Sequence, residues 1–255
     1  MALSIFDLSG RLALVTGSSK GIGFAIARGL AEAGAEVVLN GRDPDALEAA
    51  RAEIAGSGHA VHVAGFDVTD AGAVAAEVAR IEAEIGPIEI LFNNAGMQHR
   101  AMLEDFPAEA WDRILATNVS SVFYVGQAVA RRMIPRGHGK IVNIASVQAE
   151  LARTSIAPYT ATKGAVKMLT KGMATDWARH GLQVNAIGPG YFRTELNAAL
   201  VADPDFTAWL KKRTPAGRWA TLDELIGAAV FLASDASSFV NGHVLYVDGG
   251  ITSCL

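Results

Sequence analysis

Ser146, Tyr159 and Lys163 are the residues of this chain whose types and spacing can move a proton. Tyr159 and Lys163 lie at i and i+4 of a helical pattern, so their side chains stand on one face, a turn apart. A free phenol titrates at about pH 10, too high for a base at neutral pH, but an adjacent ammonium favours the phenolate. Such a pair can exchange a proton with a substrate oxygen. Ser146, just past the apolar run 141–145, can hold that oxygen from the opposite side. Asn118, a poor helix former inside a long helical stretch, can fix a water leading towards Lys163. In isolation a Tyr-x-x-x-Lys pair is most often a solvated helix face, so the surrounding elements decide its meaning.

Those elements alternate. Apolar runs of strand length at 11–16, 36–40, 60–66, 88–93, 140–145, 183–187 and 244–247 are separated by helical patterns at 22–33, 44–54, 71–85, 108–133, 159–180 and 223–233. Strands apolar on nearly every residue are buried on both faces, as in a parallel sheet covered by helices. The expectation is an α/β, single-domain, Rossmann-type doubly wound parallel sheet of about seven strands with helices on both faces, spanning 1–255. One segment breaks the rhythm. Residues 190–221 carry Pro204, Pro215, Trp209, Trp219 and the basic run 211–213 beyond a strand's C-terminal end. Ligands sit at that edge of open sheets, so the insertion reads as a substrate lid. A small helical subdomain that only packs is the alternative.

Composition narrows the partners. The 255 residues are 51% hydrophobic, with 22 Lys and Arg against 26 Asp and Glu, a net charge of −4. No long Lys/Arg block offers the clustered cations that phosphate backbones need, and nucleic acid is not expected as a partner. The single cysteine, Cys254, permits no internal disulfide and no cysteine-based metal site. His59 and His62, three apart on an expected strand, point to opposite faces, and no metal is expected. No apolar stretch approaches about 18 residues and no basic-then-apolar leader opens the chain, so no membrane partner is expected and a cytoplasmic setting is.

The first strand runs into Thr16-Gly17-Ser18-Ser19-Lys20-Gly21-Ile22-Gly23 and then a helix. Glycines allow a tight turn and close approach, and the helix start presents free N–H groups to a pyrophosphate. The spacing is G-x-x-x-G-x-G, not G-x-G-x-x-G. Where a carboxylate about 20 residues on would hold a ribose 2′-hydroxyl, the second strand ends in Gly41-Arg42. Arg42 can bind a 2′-phosphate bidentately and Lys20 adds a second cation, which favours NADP over NAD. Asp67 and Val68, closing the third strand, can accept from an adenine amino group and pack on its ring. Asn93-Asn94-Ala95-Gly96 ends the fourth strand with two amides and a glycine at the same edge. An oxidised nicotinamide near Tyr159 would add a second positive charge favouring phenolate.

Taken in order, 16–23, Asp67, 93–96, Asn118, Ser146, 159–163 and Pro189-Gly190 resemble the short-chain dehydrogenase/reductase family over essentially the whole chain. The resemblance implies NAD(P)-dependent hydride transfer, with Tyr159 as acid/base, Ser146 orienting the carbonyl and Asn118 holding a relay water. Lys163 would bind the ribose and assist Tyr159. It implies cofactor contacts at Gly17, Ser19, Lys20, Gly21, Ile22, Gly23, Arg42, Asp67, Val68, Asn94, Ala95, Gly96, Tyr159 and Lys163. Pro189, Gly190, Phe192 and Thr194 would cover the nicotinamide amide. A homotetramer is also implied, through the helices at 108–133 and 165–177 and the last strand.

Residues 94–100, 146–153, 189–192 and 206–219 resemble more narrowly the branch of that family that interconverts D-gluconate and 5-keto-D-gluconate. Two departures stand out: Gln98-His99-Arg100 in place of Gln-Arg-Arg, and Ala145-Ser146 in place of Cys-Ser. A sugar acid needs a cation for its carboxylate and a partner for each hydroxyl, since an unpaired buried polar group costs about 1–3 kcal/mol. Gln98, His99, Arg100, Gln148, Glu150 and Arg153 all follow strand ends at the cofactor edge. Arg100 or Arg153 is expected to meet the carboxylate and Gln98 and Gln148 the hydroxyls, with Ser146 and Tyr159 at the reacting carbon. A Glu150–Arg153 surface pair is the competing reading. A 3-oxoacyl carrier-protein reductase, another polyol dehydrogenase and a non-catalytic NADP(H)-sensing module are the alternatives on this scaffold. The intact Ser146, Tyr159 and Lys163 set speaks against the last.

Overall fold

Residues along β1 (Leu12–Val15) alternate between two cores: Leu12 and Leu14 face one, Ala13 and Val15 the other. The same division runs through β2 (Glu36–Gly41), β4 (Ile88–Asn93), β5 (Gly139–Ile144) and β6 (Leu182–Pro189), so their apolar runs are buried on both faces. The computed structural model describes residues 3–254. With β3 (Val61–Gly65) and β7 (Val244–Val247) at the edges, the strands form one seven-stranded sheet of order β3-β2-β1-β4-β5-β6-β7. Every neighbouring pair is parallel. Edge strand β3 has one neighbour and only Ala64 of it is fully buried, and its His62 meets Glu36 at 2.5 Å.

Helices fill both faces. α1 (Gly21–Glu32) and α2 (Pro44–Ala55) contribute Ile26, Leu30, Leu47 and Ile54 to one core. α3 (Ala71–Glu84) contributes Val74, Val78 and Ile81 to the other. α2 starts where it does because Asp43 Oδ1 accepts from the N–H groups of Asp45 and Ala46, with Pro44 at the first position. The expected helix at 108–133 is instead two, α4 (Ala108–Leu115) and α5 (Ser121–Arg136), joined by a π-turn over Ala116–Ser120. A wider turn keeps the axis nearly continuous, so the apolar periodicity does not reveal it. α5 runs past its expected end to Gly137, whose φ of 76° closes the helix in the left-handed region that favours glycine.

α6 (Ala157–Trp177) follows, and Val166 and Met173 on its inner face join the core of α3 and α5. The 190–221 segment is largely helical, with α7 (Ala198–Ala202) and α8 (Pro204–Arg213), the latter capped by Asp203. α9 (Ile226–Ala233) returns to the α1 face after a 3-10 turn with a Thr221–Glu224 capping box. No helix among the described residues is long and apolar enough to cross a membrane. The strand order reverses between β1 and β4, and a cleft opens beyond the C-terminal ends of these strands.

Candidate active site

The cleft has a volume of about 610 Å³ and gathers residues from the ends of all the central strands. At one end the glycine-rich turn leads into α1. Lys20 at the N-cap makes no side-chain cap, so the first N–H groups of the helix remain available to a ligand. Gly21 has φ +60° and open space where a Cβ would stand, whereas a Cβ on Gly23 would lie 2.4 Å from Gly17 O and Asn94 Nδ2. Gly21 thus shapes a cradle, and Gly23 lets the helix approach the strand ends. Together with the buried, unpartnered Thr194 Oγ1 at the far end, these features fit a dinucleotide.

Polar residues at strand ends hold the turn. Thr16 Oγ1 accepts from the N–H groups of Asn94 (2.9 Å) and Ala95 (3.1 Å). Asn94 Nδ2 donates to Thr16 O and Gly17 O, both at 2.9 Å, so its side chain is a clasp between β1 and β4. Asn40, buried at the end of β2, accepts from Gly17 N and donates to Ala64 O and Phe66 O. Sequence reasoning gave Asn40 no role, although a lone amide closing an apolar strand was the available signal.

Arg42 and Lys20 both border this end of the cleft. Arg42 Nη1 lies 3.7 Å from Asp67 Oδ2 and the side chain is 80% exposed. Lys20 Nζ meets Glu195 at 2.8 Å, an exposed pair that contributes little. Asp43, next to Arg42, is occupied in capping α2. Bonds from the Thr69 N–H and hydroxyl hold the Asp67 carboxyl below its ordinary range, keeping it a charged acceptor. Val68 lines the cleft beside it.

Ser146, Tyr159 and Lys163 meet at the other end. Ser146 Oγ, just beyond β5, accepts from Gln148 N at 3.1 Å, which leaves its own proton free to donate. Burial pushes the Tyr159 phenol up, and the neighbouring Ser146 hydroxyl partly offsets this. Lys163 Nζ lies 5.6 Å from the Tyr159 ring centre and donates to Ile144 O at 2.7 Å; burial brings it down to about 8. Asn118 sits in the π-turn and is buried. Its Oδ1 accepts from Met97 N at 2.8 Å and its Nδ2 donates to Met97 O and to Thr162 Oγ1. The side chain therefore clamps the strand-end loop that carries Gln98 and Arg100.

That loop and the one before α6 are stitched together by Ala101 N donating to Ser155 O at 3.2 Å. Arg100 and Arg153 are thereby neighbours, and burial together with the Arg153 charge weakens Arg100's hold on its proton. Neither belongs to any ion pair among the described residues. Gln98 Oε1, Gln148 Oε1 and Arg153 Nε are buried without partners, and all three residues line the cleft. His99 instead packs edge-on against Phe106, and Glu150 turns to Lys167 and Tyr246. The competing Glu150–Arg153 pair is thus not formed. Pro189, Gly190, Phe192 and Thr194 line the cleft at and beyond the C-terminal end of β6.

The family model described as enoyl-(acyl carrier protein) reductase matches residues 17–252. The chain belongs to the short-chain dehydrogenase/reductase family. Among its relatives in this family is a gluconate 5-dehydrogenase of Gluconobacter oxydans (strain 621H), 64% identical over 251 residues and covering 98% of each chain. A 5-keto-D-gluconate 5-reductase of Escherichia coli (strain K12) is 51% identical over 247 residues, 97% of each chain. The crystal structure of a gluconate 5-dehydrogenase from Burkholderia cenocepacia J2315, in complex with NADP and tartrate, superposes with a TM-score of 0.98 at 57% identity over 100% of both chains. As a short-chain dehydrogenase/reductase the chain carries one more cleft residue that spacing did not single out. Tyr191 enters the cleft from the far wall, within 3.4 Å of Gln148 Nε2.

Proposed function

We propose that the chain is an NADP-dependent oxidoreductase that interconverts D-gluconate and 5-keto-D-gluconate. The observation that carries this reading is the joining of Arg100, Arg153, Gln98 and Gln148, unpaired by protein acids, beside Ser146 and Tyr159 in one cleft. The names of the relatives at 64% and 51% identity support the same substrate pair. An acyl-thioester reductase gains nothing from two arginines and two amides whose desolvation a hydrocarbon chain leaves uncompensated.

When bound, the nicotinamide supplies the two-electron hydride exchange with C5 of the substrate. The chain's own residues manage the proton and the developing charge. In oxidation Tyr159 Oη, as phenolate, takes the proton of the C5 hydroxyl; in reduction the phenol returns it to the forming alkoxide. Ser146 Oγ donates to the same oxygen and fixes it opposite the phenol. Lys163 stabilises the phenolate through its charge and offers its remaining N–H groups to a ribose. Asn118 holds the 97–100 loop in register, with a relay water as its second task. Arg100 and Arg153 meet the carboxylate, and Gln98 and Gln148 the hydroxyls.

NADP is preferred to NAD in this reading because Arg42, with Lys20 exchanging Glu195 for phosphate, faces the adenosine end without a free carboxylate. Gly17, Ser19, Gly21, Ile22 and Gly23 hold the pyrophosphate, Asp67, Val68 and Ala95 the adenosine side, and Pro189, Gly190, Phe192 and Thr194 the nicotinamide amide. The chain works as one dinucleotide-binding and catalytic domain, with α7 and α8 as its lid. Exposed Trp111, Phe123 and Met168, on α4, α5 and α6, support subunit contacts of a homotetramer, and the setting inferred is cytoplasmic. The test is a matrix of NADPH and NADH against 5-keto-D-gluconate and an acetoacetyl thioester, following nicotinamide absorbance. Fast NADPH oxidation with the keto acid alone is expected; preference for the thioester would overturn the assignment.

A further inference from the structure

Tyr191 stands where three features of the cleft converge. Its hydroxyl oxygen accepts from Gln148 Nε2 at 3.4 Å, so the phenol's own proton is left to donate elsewhere. Arg100 and Arg153 line the same cleft, and while burial pushes this phenol up, their charges act against that. It also lies close enough to Tyr159 that a charge on one disfavours a charge on the other. The Tyr191 oxygen thus lies beside Gln148 in the one cleft that Arg100, Arg153, Ser146 and Tyr159 also line.

The ring is held from behind. Its centre is 5.7 Å from Phe206, 6.2 Å from Trp209 and 5.8 Å from Trp219, the last two edge-on. Trp219 Nε1 donates to Thr207 Oγ1 at 3.1 Å and fastens this cluster to α8. Tyr191's carbonyl accepts from Ala220 N at 3.0 Å, so the backbone is fixed as well. Arg153 lies over the Phe206 ring at 5.3 Å, in a cation–π contact that directs its guanidinium along the same wall. One aromatic cluster thus orients both a phenol donor and a cation.

We propose that Tyr191 is a substrate-positioning and specificity-determining residue, whose hydroxyl completes the carboxylate cradle formed with Arg100 and Arg153. The inference rests on the sugar-acid reading and adds the residue that separates a charged acid from its neutral counterpart. A phenol donor held rigidly in the same cleft as two cations rewards an anionic acceptor, and a neutral ester offers it less. Because Tyr191 acts on the distal end of the substrate, its contribution is made equally in the bound and reacting states.

The experiment compares wild type with Tyr191→Phe, which keeps the ring and its packing, on 5-keto-D-gluconate and on its neutral methyl ester with NADPH. The ratio of kcat/KM for acid over ester is expected to fall about 10- to 100-fold, as loss of a hydrogen bond to a charged group implies. The fall should reside in KM for the acid, with kcat nearly retained. Binding of D-gluconate to the NADP-loaded protein, followed by tryptophan fluorescence, should weaken in parallel. A wild type active on the keto acid whose acid-to-ester ratio survives Tyr191→Phe overturns this inference alone. A wild type inert towards the keto acid overturns the functional reading and this inference with it.

Discussion

Lys163 Nζ donates to the carbonyl oxygen of Ile144, the last residue of β5, at 2.7 Å. One hydrogen bond therefore joins the helix that carries Tyr159 to the strand end that leads into Ser146, the two residues to which the proposed mechanism gives the proton transfer. Lys163 Nζ lies 5.6 Å from the Tyr159 ring centre, and in the proposed mechanism its charge bears on the phenol through space. Lys163→Met keeps the stem and removes both the bond and the charge. Its kcat/KM for 5-keto-D-gluconate is expected to fall about 100-fold or more, the scale of a disabled acid–base system. Steady-state kinetics checks this, and a fall of only a few-fold would leave Lys163 a packing residue.

In the proposed reading, cofactor choice turns on Arg42. Its side chain is 80% exposed and only loosely engaged by Asp67 at 3.7 Å, so it is free to close on a phosphate. Arg42→Ala should raise KM for NADPH about 10- to 100-fold, the worth of a charge-assisted hydrogen bond, and change KM for NADH far less. Equal effects on the two cofactors would show that Arg42 does not read the 2′-phosphate.

Much of this was legible in the sequence because burial writes itself into apolar runs. The seven strands stand at the expected places, as β4 at Ile88–Asn93 illustrates, since a strand covered on both faces reads as a nearly continuous apolar run, broken here only by Glu89 and the closing Asn93. The π-turn around Asn118 was not legible: one wider turn hardly disturbs the 3.6-residue spacing. Nor were the partners of long side chains. Asn94 clasps Thr16 and Gly17, and Glu150 leaves Arg153 for Lys167 and Tyr246, because rotamers and loop paths decide such contacts. Nor was the setting of Tyr191, because the rings packed around it come from residues 15 to 28 positions further on.

Lys140 offers a test of the fold's energetics away from the cleft. It is buried at the start of β5, with Ser237 Oγ at 3.5 Å as its hydrogen-bond partner, and desolvation brings it to about 8 from its ordinary 10.5. Asp235 opposes that shift and Arg11 reinforces it. Between those two values the unfolded chain binds more protons, so this lysine makes stability rise with pH through that window. Lys140→Met should remove that part of the rise and stabilise the protein at neutral pH by about 1–3 kcal/mol. Ser237 Oγ would keep its bonds to Leu232 O and Ser234 O. Urea unfolding of both proteins across the window checks this; an unchanged slope, or a destabilised variant, would contradict it.

The most direct measurement is the turnover of Tyr159→Phe with saturating NADPH and 5-keto-D-gluconate, alongside its affinity for NADPH. The phenyl ring preserves the cleft wall and removes only the proton carrier. A kcat reduced about 100- to 10,000-fold with NADPH binding retained is the predicted result. Turnover within a few-fold of wild type would contradict the assignment of the proton to Tyr159 and of the chemistry to this cleft.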